Sequence, residues 1–155
     1  MNSEKPGEKE LIALLHAVLY AFQNALDDVD RKVCFYVSRK LPDILGKFGF
    51  KIDPEKSPEE NANLIIGLVE ETGYVEDAFT EREDERTFVV NIGKCTLAES
   101  GVHETLKPKR AYCPFAIIVA GVLQEIFDDN VIVSPSEFTE KGSVTIIKRY
   151  RHAIL

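Results

Sequence analysis

A chain of 155 residues with 45% hydrophobic and 29% charged residues has the size and balance of one globular domain, which excludes a fibrous repeat and wholesale disorder. Its net charge of −7 would be repelled by a phosphate backbone, so no nucleic-acid partner is expected. Three cysteines, Cys34, Cys95 and Cys113, are too few and too scattered for a disulfide framework, and a single methionine with only two glutamines fits a heat-adapted source.

Met1 to Glu10 is polar and acidic and predicts no secretory signal. From Leu11 to Phe22 the sequence reads LIALLHAVLYAF, with His16 the one strongly polar residue. A helix this apolar around its whole circumference needs cover on nearly all sides, and a second copy of the chain is the expected source, hence a homodimer. A further helix is predicted over Arg31 to Phe48, with Pro42 expected to kink or restart it. Ser57-Pro58-Glu59-Glu60 carries a capping box with proline in the first turn, so a helix starts there, buries Leu64, Ile65, Leu68 and Val69, and stops at Gly73.

Beyond Gly73 the apolar period falls from 3.6 to 2. Tyr74 to Glu81 and Arg86 to Ile92 predict a hairpin, with Phe88, Val90 and Ile92 on one face and Thr87, Val89 and Asn91 on the other. A helix follows from Cys113-Pro114 to Asp128, and Val131 to Ser134 pairs with Ser143 to Tyr150 in a second hairpin whose connection contains Pro135 and Gly142. The longest apolar run, Phe115 to Leu123, is about half the length of a membrane-spanning helix, so no span and a cytoplasmic location are expected. The reading is one α+β domain over 1–155, with a helical part (1–72) and a hairpin-helix-hairpin part (73–155) built on a four-stranded antiparallel sheet.

Glycine-rich nucleotide fingerprints and the G-x-S-x-G nucleophile elbow are missing, and His103-Glu104 is followed by Lys107 where a zinc-protease helix needs histidine. No catalytic residue is assigned. Cys95, His103 and Cys113 form the one set of metal-ligand type, with Glu99 or Glu104 as fourth donor. Their spacing matches no compact zinc motif, so no metal or other cofactor is expected. The basic tail Lys148 to His152, with Lys107, Lys109 and Arg110, reads as a solvated surface before an anion site. Ala116, Ala120 and Gly121 stack at helical spacing and leave a shallow groove on the Cys113 helix. An apolar small molecule between that helix and the sheet would touch Phe88, Val90, Ile92, Tyr112, Phe115, Ala116, Ala120 and Gly121, with His16 as the polar candidate.

Phe88 to Ile147, with Asn91-Ile92-Gly93-Lys94-Cys95 ending a strand, Cys113-Pro114-Phe115 opening a helix that carries Gly121, and Gly142 in the last hairpin, resembles the 4-vinyl reductase or hydrocarbon-binding domains. These occur as small archaeal proteins and as bacterial sensor domains. The resemblance implies a fold shared with TRAPP transport-complex subunits and haem-based nitric-oxide sensors, a ligand pocket between helices and sheet, and homodimers. At the zinc-ligand positions of family sensors stand Pro135, Phe138 and Ile146, leaving Cys113 alone of that site. The haem pattern Y-x-S-x-R meets Tyr36-Val37-Ser38-Arg39, one residue short, and implies no haem. A sensory or carrier domain is therefore the first reading. A protein-assembly subunit like the TRAPP relatives is the alternative, and a reductase-related enzyme of tetrapyrrole metabolism is third.

Overall fold

A computed structural model describes residues 31–47, 49–99, 101–105 and 111–150, so the Leu11 to Phe22 helix and His16 lie outside the described residues. Helix α1 (Arg31–Lys47) continues past Pro42 as one helix, so it does not restart there. Proline there offers no N–H to the Ser38 carbonyl one turn back. Helix α2 (Pro58–Glu71) begins as its sequence requires. The Ser57 hydroxyl accepts from the Glu60 N–H at 3.1 Å, and the Glu60 carboxylate accepts from the Ser57 N–H at 2.7 Å. Its end at Thr72 is followed by Gly73 at φ 75°.

The expected buried face of α2 is rotated. Ala62, Ile65 and Ile66 enter the core with Val69 packed against it, while Leu64 and Leu68 stay 42% and 46% exposed. The cause is Asn63, which turns the helix towards the sheet edge. Strand β1 (Val75–Arg82) is the edge strand, paired with β2 (Thr87–Cys95) across a turn in which the Asp84 carboxylate accepts from the Arg86 and Thr87 N–H groups. On the outer side of β1 the Asn63 amide donates to the Thr80 carbonyl at 2.8 Å and accepts from the Thr80 N–H at 2.7 Å, as a neighbouring strand would. The Glu70 carboxylate accepts from the Ala78 N–H at 2.8 Å. An edge that could template another chain is thus covered by helix side chains.

Two one-turn helices, α3 (Thr96–Glu99) and α4 (Val102–Thr105), occupy what the sequence suggested was loop. Helix α5 (Pro114–Phe127) has Cys113 at its N-cap and Asp128, at φ 46°, at its C-cap. Strands β3 (Asn130–Val133), β4 (Glu137–Phe138) and β5 (Ser143–Tyr150) complete the sheet. The order is β1-β2-β5, with β3 and β4 both on the far side of β5, all antiparallel. The expected four-stranded sheet is therefore four rows made of five strands. The last row is one strand broken by a bulge: Ser134 donates to the Ile146 carbonyl, Glu137 pairs with Val144, and Pro135 with Ser136 take up the extra residue. Proline is tolerated at a bulge because it has no N–H to give.

Helix α5 packs between α1 and α2 and reaches β3 and β5, while α2 lies along β1. One buried cluster joins Ala62, Ile65 and Ile66 to Phe88, Val90, Ile92, Ile147, Val131 and Val133 through the α5 side chains Ala116, Val119, Ala120 and Leu123. A Cβ on Gly142 would collide with the Ile92 carbonyl, so only glycine lets the last hairpin cross β2 this closely. Among the described residues, no helix is long and apolar enough to cross a membrane.

Candidate functional site

Alternation along β2 sends Phe88, Val90 and Ile92 to the face covered by helices, and helical spacing sends Ala116 and Ala120 of α5 towards the same core. Tyr112 and Phe115, at the start of α5, are buried in that cluster as well. Seven of the nine residues singled out for ligand contact are thereby brought together. Gly121 is not one of them. A Cβ there would lie 2.9 Å from Leu41 Cβ and 2.9 Å from the Ser38 carbonyl oxygen, so its open side is filled by α1. The ninth, His16, lies outside the described residues.

What the sequence reading missed is a set of hydroxyls on the inner face of the sheet. Thr80 pairs with Val90 and Val90 with Thr145, one row across three strands, and Ser143 pairs with Ile92 in the next. Thr145 Oγ1 is 2.6 Å from Ser136 Oγ, which accepts from the Cys113 N–H at 2.7 Å. Ser136 also donates its own N–H to the Ala111 carbonyl at 2.8 Å. The bulge thus places a side chain that completes the first turn of α5, where Cys113 makes no side-chain cap. Thr80 Oγ1, by contrast, is buried and has no hydrogen-bond partner. Cross-strand pairing with Val90 was the signal that could have found it.

The residues of metal-ligand type are buried but do not assemble. Burial is the largest influence on the Cys95 thiol and pushes it up to about 11, against the backbone N–H groups of Leu97 and Ala98 that face it. Burial likewise raises the Cys113 thiol, although Ser143 and the N–H groups at the start of α5 act the other way. His103 sits with its ring edge-on to Phe138 at 4.7 Å and Nδ1 3.5 Å from the Thr139 carbonyl; burial holds its pKa below the ordinary value. Glu99 is exposed and tied to Lys94 at 3.3 Å, and Glu104 is exposed. Among the described residues no group of three such side chains could hold a metal ion. Pro135 lies in the bulge, Phe138 on β4, and Ile146 is exposed on β5.

A shallow groove of about 510 Å³ runs between the β1–β2 turn and the end of β5, lined by Asp84, Glu85, Arg86, Thr87, Lys148, Arg149 and Tyr150. Its lining mixes both signs of charge. Arg149 is committed to Asp129 at 2.7 Å and stacks over Phe127 at 4.2 Å. Lys107, Lys109, Arg110, Arg151 and His152, the remaining members of the basic set, lie outside the described residues. Large apolar side chains are exposed elsewhere: Val37 and Ile44 on α1, Leu64 and Leu68 on α2, Phe79 and Ile146 on the sheet. No family model matches the chain, and no curated protein matches it.

Proposed function

We propose that this chain is a non-catalytic binding domain for a small apolar molecule, a sensor or carrier of the kind its resemblance to the 4-vinyl reductase domains suggests, acting in the cytoplasm as a homodimer. The observation that carries the reading is the composition of the layer between α5 and the sheet. Small side chains are buried there, Ala116 and Ala120 on the helix and Thr145 and Ser143 on the sheet, with Phe88, Tyr112 and Phe115 in the same core as the two alanines. An apolar enclosure with a few polar groups is the usual form of a small-molecule site. Cys95, His103 and Cys113 have no part in the proposal, which involves neither metal nor haem.

A protein-assembly subunit is the second reading, and a specific observation favours it. Val37 and Ile44 on α1, and Leu64 and Leu68 on α2, leave large apolar side chains exposed, as surfaces that meet other chains do. Native mass spectrometry of the purified protein separates the two. The binding reading expects twice the chain mass plus a releasable small molecule. A protein complex with no small molecule, even after purification without detergent or organic solvent, would put the assembly reading first.

A further inference from the structure

We infer that the molecule held between the helices and the sheet carries a hydrogen-bonding group, and that Thr80 is the residue that receives it. The inference rests on the binding reading above and narrows its ligand class to apolar bodies with one hydroxyl or carbonyl. Thr80 is 2% exposed, and its Oγ1 is the one buried side-chain polar atom among the described residues with no hydrogen-bond partner. Native interiors pair nearly all such groups, because a hydroxyl removed from water without a partner is costly.

The neighbouring polar groups are already engaged. Thr80's own N–H and carbonyl are taken by Asn63, and on the same row Thr145 is taken by Ser136. The Thr80 side chain shares the inner face with Val90, on the strand over which α2 packs. A single hydroxyl, able both to donate and to accept, in an otherwise apolar setting fixes the orientation of one polar group and tolerates a variety of apolar bodies.

The test compares toluene with benzyl alcohol, titrated by NMR chemical shift into the full chain as wild type, Thr80→Val and Thr80→Ser. Valine has nearly the shape of threonine and removes only the hydroxyl. The expected result is an affinity for benzyl alcohol lowered about tenfold by Thr80→Val, the worth of one hydrogen bond, with toluene unchanged and both affinities kept by Thr80→Ser. Equal effects of Thr80→Val on both probes would overturn the inference and leave the binding reading standing. So would no effect on either, as expected if the hydroxyl is satisfied by a water alone. Binding of neither probe to the wild type would overturn both.

Discussion

Helices α1 and α2 flank α5 on opposite sides, and each joins the rest of the molecule by a different kind of contact. The α1–α5 junction is steric. Gly121 has no side chain, Leu41 and the Ser38 carbonyl come up against its backbone, and a hydrogen bond of 3.3 Å between Ser38 and Gln124 lies one turn away. The α2–β1 junction is polar, because Asn63 supplies the donor and acceptor that an edge strand lacks. Packing of the first kind degrades gradually when it is disturbed, since helices can shift. A pair of buried backbone groups that loses its partner has no such freedom.

The largest effect is therefore expected at the polar junction. Asn63→Leu would strand the N–H and carbonyl of Thr80 and cost about 3 kcal/mol, at about 1 to 3 kcal/mol for each orphaned group. Urea unfolding measures it, and hydrogen exchange should show the Thr80 amide losing protection first. Gly121→Leu comes next, at about 2 kcal/mol for forcing a side chain between two helices, in the same urea assay. A larger loss in Gly121→Leu than in Asn63→Leu would reverse the contrast. The smallest effect is that of pH at His103, which belongs to neither junction. Burial depresses the His103 pKa from its ordinary 6.5, so the unfolded chain binds the proton more readily than the folded one. Stability from this group is complete above about 6.5 and is lost as pH falls from there through the folded pKa. His103→Gln should remove that part of the slope and leave the two junction penalties as they are.

Legibility followed the range of the signal. The Ser57 cap, both hairpins and the start of α5 were readable because each is specified within a few residues: a capping box, a change of period, Cys113-Pro114 ahead of an apolar run. The rotation of α2 was not, because Asn63 finds its partner seventeen positions away, and periodicity alone could not rank Leu64 and Leu68 against Ala62 and Ile66. The same applies to Gly121, whose neighbour α1 is eighty residues earlier in the chain. At the candidate site Phe88, Val90, Ile92, Ala116 and Ala120 were readable from their periods. Thr80 is not legible in this way, because threonine suits either face of a strand.

The bulge at Pro135 and Ser136 bears on the order of folding. At the start of α5 the Cys113 N–H donates to the Ser136 hydroxyl, twenty-three residues further on, and Ser136 is positioned only when its row lies against β5. This helix, the most apolar in composition among the described ones, is thus left incomplete at one end until the last hairpin closes. Loop closure precedes helix completion, so destabilising changes near Ser136 act on the docking of that hairpin and on the fraying of α5 together.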